Sequence, residues 1–189
     1  LQGHPAARES LRAPRRLVLL DVGCGCGDLM LQAARWGKSH GMAVAPLGLE
    51  RHRTAARLTL GTGAPTLLGS ADSMPIREKS VDIVLASQLA HHLPAQQLIE
   101  FCQAADRIAR LGVVIADLRR SAWALAAFWV GSRLFGFDLA TRRDGLTSVR
   151  RGFTRDELTA LLRQAGITAR VEQTPGFRLV ASWTASETP

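Results

Sequence analysis

An apolar run that drives into three alternating glycines constrains this chain more than any other feature. Residues 17–28 read Leu-Val-Leu-Leu-Asp-Val-Gly-Cys-Gly-Cys-Gly-Asp. Residues 17–20 have the unbroken apolar character of a strand buried on both faces of a parallel sheet. Gly23, Gly25 and Gly27 admit backbone conformations and close approaches that a Cβ blocks. Residues 29–36 then read as a helix, with Asp28 suited to its N-cap. Strand, glycine turn and helix form the edge at which an open α/β sheet receives a nucleotide-like ligand.

The rest of the chain repeats the alternation. Strands are expected at 17–22, 43–49, 66–69, 81–86 and 112–117, and helices at 28–36, 53–60 and 94–109. Thr154 and Glu157 have capping-box spacing for a helix over 154–164, closed by Gly166. Segments 167–173 and 177–184, joined by Pro175-Gly176, read as an antiparallel closing pair. The pattern implies a three-layer α/β sandwich with a seven-stranded, mostly parallel sheet and an antiparallel last strand. Residues 1–14 read as an arm or a short capping helix. Residues 118–153 are too long and too aromatic for a plain crossover and read as an inserted cap or lid within a single domain spanning 1–189.

With 189 residues, 47% apolar and 21% charged, the chain suits one globular domain. The most apolar stretch, 121–139, is interrupted by Arg133 and Asp138, so no membrane span is expected. No signal-peptide pattern opens the chain. Cys24, Cys26 and Cys102 cannot all pair, and two lie in the glycine turn, which reads as a reduced, cytoplasmic protein. The net charge of +8 admits an anionic partner such as RNA, or simply a compositional bias toward arginine, since only Lys38 and Lys79 are lysines.

Motif chemistry narrows the ligand. A P-loop needs a glycine where Gln32 stands, and Gly37-Lys38-Ser39 closes a helix rather than following a strand. A dinucleotide fingerprint needs a third glycine where Asp28 stands. The Cys-x-Cys spacing inside a glycine turn, even with His91 and His92, is poor for zinc, so no metal is expected. His91 and His92 follow the fourth strand. They serve either as a base for proton abstraction or as a turn that packs the next helix.

Residues 20–28 resemble the first motif of the class I, Rossmann-like S-adenosylmethionine-dependent methyltransferases. Residues 70–76, Ser-Ala-Asp-Ser-Met-Pro-Ile, resemble their acid-and-proline segment, whose acid meets the adenine amine, with two residues between Asp72 and Pro75. Residues 80–84 and 112–118 resemble their fourth and fifth strands, and Leu89-Ala-His-His-Leu93 resembles the signature of the ubiquinone/menaquinone-type branch. The resemblance covers residues 17–117. It implies S-adenosylmethionine as cofactor, with Asp21 near its ammonium group, Glu50 on its ribose hydroxyls and Asp72 on its adenine amine. Gly23, Cys24, Gly25, Gly27, Arg51, Ser73 and Ser87 complete the implied cofactor set, and His92 and His91 are the candidate catalytic pair. Residues 148–154 resemble a loop of small bacterial methyltransferases of aromatic polyketide or quinone-like pathways.

The expected activity is O- or C-methylation of a hydrophobic or aromatic small molecule in secondary metabolism. Ser87-Gln88-Leu89-Ala90 stands where enzymes that methylate base amino groups carry Asn/Asp-Pro-Pro-Tyr/Phe. An RNA methyltransferase and a non-catalytic cofactor-binding protein with a partner surface at 118–153 remain the alternatives. Only a short stretch precedes the first strand. The insertion alone, a second subunit of a homodimer, or a segment missing from the chain must therefore close the site.

Overall fold

The computed structural model describes residues 16–186. The arm or helix expected over 1–14 lies outside the described residues. Strands β1 (Arg16–Val22), β2 (Ala43–Glu50), β3 (Thr66–Leu68), β4 (Val81–Ser87), β5 (Ala109–Leu118), β6 (Arg170–Thr174) and β7 (Arg178–Thr184) form one sheet. Their order is β3-β2-β1-β4-β5-β7-β6, and β7 runs antiparallel to both of its neighbours. The remaining pairs are parallel. This is the seven-stranded, mostly parallel α/β sheet expected from the alternation, with β7 as its antiparallel strand. The order reverses between β1 and β4, and a crevice opens there beyond the carboxyl ends of the strands.

Side-chain alternation along β1 explains why both sheet faces are covered. Leu20 and Val22 enter the larger core, with Phe101 and Cys102 of α3 (Ala95–Ile108) and Leu158 and Leu162 of α6 (Arg155–Gln164). Leu19 points the other way, to Met30 of α1 (Asp28–Ser39) and to Cys24. Helix α2 (Arg53–Gly61) packs against β2 and β3. Two-sided burial is the reason the central strands are unbroken apolar runs rather than alternating ones.

Helix α6 starts as its spacing requires. Thr154 Oγ1 accepts from Glu157 N, and the Glu157 carboxylate accepts from Thr154 N. Removing the hydroxyl with Thr154→Ala is expected to cost about 1 kcal/mol, read as a lower denaturation midpoint with an unchanged m-value. Helix α1 departs from expectation. Its N-cap is Gly27, left-handed at φ 83°, and Asp28 is already the first helical residue. A glycine that turns the chain directly into the helix leaves no room for a side-chain cap.

The excursion between β5 and α6 leaves and returns at one point. Phe153 N donates to Leu118 O at 3.0 Å, and Arg120 N donates to Phe153 O at 2.9 Å. The excursion is two helices, α4 (Ala122–Leu134) and α5 (Leu139–Arg151). Residues 148–151 are therefore the last turn of α5, where a loop was expected, because Asp138 caps a helix that runs to Arg151 by accepting from Thr141 N. Phe128 of α4 lies directly on Gly145 of α5, a position where any Cβ would strike its ring.

Candidate active site

Three elements converge beyond the ends of β1, β2 and β4. The glycine turn is tied to β2: Gly23 N donates to Leu49 O at 2.8 Å, and Cys24 N to the same oxygen at 3.3 Å. Gly25 N donates to Glu50 Oε2 at 3.0 Å, and His52 N to Glu50 Oε1 at 2.8 Å. Glu50 is thus buried and fixed in orientation, with one lone pair on each oxygen still open to a further donor. All three glycines of the turn have positive φ, 72°, 55° and 83°.

Asp21 stands one strand over, 2% exposed, and no described residue donates a hydrogen bond to its carboxylate. Burial, with the Glu50 charge adding to it, raises its pKa from 3.8 to about 7. A buried acid with no donor and a second acid beside it is a place for a cation. The S-adenosylmethionine ammonium fits that chemistry, and Glu50 fits a pair of vicinal hydroxyls.

A cavity of about 470 Å³ opens at this edge. Of the residues named from the sequence, Gly23, Glu50, Arg51, Asp72 and His92 line it. Ser73 folds into a bridge with Ser70, and Ser87 ends β4; neither lines the cavity, and nor do Asp21, Gly25 or Gly27. The Cys24 thiol turns away from it, against the position where a Gly48 side chain would start, and burial pushes its pKa up to about 11. At that value the thiol is a packing group, not a nucleophile.

The two histidines separate. His91 is buried, its Nδ1 lying 2.7 Å from Asp117 Oδ1, and its backbone N–H donates to Asp117 Oδ2 at 3.2 Å. His92 faces the cavity, its ring 4.0 Å from that of His91. Desolvation and repulsion from His91, with Arg151 and Arg51 adding to it against attraction from Asp117, lower the His92 pKa, which favours the neutral ring that can take a proton.

Asp117, Gln97, His52 and Gln88 belong to the site without having been singled out from the sequence as site residues. Gln88 carries the one signal visible in the chain, as the residue directly after β4 where other families place a proline. Its φ of 54° is rare for a side-chain-bearing residue, and its N–H donates to Ala116 O at 2.8 Å. It also lines a second cavity of about 420 Å³. That cavity is walled by Leu118, Ala124, Ala127, Phe128, Val149 and Phe177, under α4 and α5. Among the described residues, no cluster of three metal-ligating side chains occurs.

Residues 19–112 match the model of a methyltransferase domain family. No curated protein matches the chain. A SAM-dependent methyltransferase from Aquifex aeolicus superposes with a TM-score of 0.66 at 14% identity, over 96% of this chain and 88% of that one. Magnesium protoporphyrin IX methyltransferase from Synechocystis, solved with SAH bound, gives 0.61 at 12% identity, over 96% and 79%. The CMeT domain of citrinin polyketide synthase gives 0.68 at 13% identity, over 97% and 51%.

Proposed function

We propose that this chain, whose residues 19–112 carry a methyltransferase domain and whose donor is S-adenosylmethionine, passes the methyl group to oxygen or carbon of an apolar small molecule. The acceptor sits beneath α4 and α5, which cap a single domain. One observation carries the reading: Gln88 lines both the donor-edge cavity and the apolar cavity under the cap. The named substrate or product of two structural neighbours, magnesium protoporphyrin IX and citrinin, is likewise a small organic molecule.

The sulfonium supplies an already activated methyl group, so the protein's work is positioning and proton management. Asp21 holds the ammonium end of the donor, Glu50 takes the ribose hydroxyls and Asp72 the adenine amine. The backbone bonds from Gly25 and His52 pre-set the Glu50 carboxylate before anything binds. His92 accepts the proton that an acceptor hydroxyl or enol loses as the methyl transfers. His91, clamped by Asp117, is a positioning residue behind it.

On this reading His92→Ala lowers kcat about 100-fold while the dissociation constant for S-adenosylmethionine stays within about twofold. Transfer of labelled methyl to a panel of phenolic and enolic polyketide-like acceptors, with titration calorimetry of the donor, separates the two effects. Donor binding without transfer to any such acceptor, together with transfer to RNA, would overturn the small-molecule reading.

A further inference from the structure

Helix α4 is built inside out. The residues it buries are small, Ala124 and Ser132, while Trp123, Trp129, Val130 and Leu134 face solvent. Trp123, Leu134 and Phe135 are each 79% exposed. Spacings of seven and four residues set Trp123, Val130 and Leu134 on one stripe of the helix. The apolar surface continues through the α4–α5 turn, where Phe137 and Leu139 are also exposed. A surface helix with apolar residues nearly all round has no reason to exist in water alone.

The charges beside this surface are mixed, with arginine in excess: Arg133, Arg142 and Arg143 against Asp138 and Asp144. Arg133 lies over the Trp129 ring, its guanidinium carbon 3.7 Å from the centroid. Arg142 donates from Nε to Phe137 O at 2.7 Å, and Arg143 follows it on α5, exposed. Asp138 caps α5 by accepting from Thr141, and Asp144 sits beside Arg143, so the arginines lead by one charge. No helix among the described residues is long and apolar enough to cross a membrane.

We propose that α4 and the α4–α5 turn dock on an anionic lipid surface, with the apolar side chains entering the acyl boundary and the arginines meeting lipid phosphates. Two tryptophans, two exposed phenylalanines and flanking arginines are the residue types that partition to this interface. Insertion and charge attraction act together, which is the two-signal requirement for stable interfacial binding. The net charge of +8, which donor binding does not use, favours the approach. An uncharged protein partner would match the apolar stripe but leave the arginines without counter-charge. The helix that docks also supplies Ala124, Ala127 and Phe128 to the cavity beneath it.

The test is co-sedimentation of the full chain with vesicles of phosphatidylcholine alone or with one-third phosphatidylglycerol. Strong partition to the anionic vesicles, at least tenfold above the neutral ones and weakened by salt, is expected. The triple variant Trp123→Ser, Leu134→Ser, Phe135→Ser should lose at least tenfold in partition. Arg133→Gln with Arg143→Gln should lose the preference for anionic lipid. Donor affinity, measured by calorimetry, should be unchanged in both variants, which keeps the result separate from the methyltransferase reading. Absence of vesicle binding by the wild-type chain would overturn the proposal. So would a wild-type dimer that the triple variant converts to monomer without any change in partition.

Discussion

Asp21→Asn is expected to raise the melting temperature at pH 8 while removing most of the affinity for S-adenosylmethionine. In the unfolded chain this carboxyl titrates at 3.8, and in the folded protein at about 7. Between those values the folded state keeps the proton that the unfolded chain has released. Stability therefore falls as pH rises through the window, and the whole cost is in place above pH 7. The displacement corresponds to about 4 kcal/mol at one pKa unit per 1.36 kcal/mol. Asparagine has no charge to bury, so the variant recovers much of that cost, roughly 5–10 °C for a chain of this size. Donor binding has the opposite dependence. The ammonium group pairs only with the ionised carboxylate, so wild-type affinity should fall about tenfold per pH unit below 7. The variant should bind weakly at every pH. Calorimetric titration between pH 5.5 and 8.5, beside thermal melts of both proteins, reads the two trends. A wild-type affinity flat over that range would mean that Asp21 does not meet the donor's cation.

The trade is visible in the local arrangement. Asp21 and Glu50 are brought together by the register that sets Asp21 opposite Gly48 on neighbouring parallel strands. The fold carries two acids at one edge, one of them without a hydrogen-bond donor from the described residues, and a cation from outside relieves both. Stored instability at a binding edge is what a site organised for a charged ligand costs its protein.

Much of this was legible in the chain. The buried strand, the three glycines and the acids at strand ends are local patterns, because backbone conformation and strand termination are decided by neighbouring residues. Asp117 was not legible, although it sits at the end of β5, because its partner is 26 residues away. Only the β4–β5 register, which sets Ser87 beside Ala116, brings His91 to it. The helix entry at Gly27 was misread because Asp28 is a good N-cap by type, whereas a left-handed glycine had already made the turn. In the 118–153 insertion the aromatic content was plain. The outward placement of Trp123 and Leu134 was not, since an all-round apolar pattern reads as burial and carries no sign of which side the core will take.

The glycine turn yields the second large effect, and its last two glycines divide between architecture and binding. A Cβ at Gly27 would lie 2.6 Å from Thr59 Cγ2 and 3.1 Å from Met30 Cε. Thr59 cannot easily yield, because it is fully buried and its hydroxyl donates to Gly25 O at 2.8 Å. Gly27→Ala therefore combines left-handed strain of about 1–2 kcal/mol with overpacking of about 1–3 kcal/mol. Its denaturation midpoint should fall steeply. At Gly25 a Cβ meets nothing within 4 Å, and only the φ of 55° opposes it. Gly25→Ala should cost no more than about 2 kcal/mol and remain folded. Gly25→Val, whose branched side chain fills that open space, should lose donor binding at least 100-fold in a protein that still unfolds cooperatively. The contrast follows from where each missing Cβ points, into the core for Gly27 and into open space for Gly25. Chemical denaturation of the alanine variants and calorimetry on Gly25→Val read it directly. Unchanged donor affinity in Gly25→Val would place the donor elsewhere along the sheet edge.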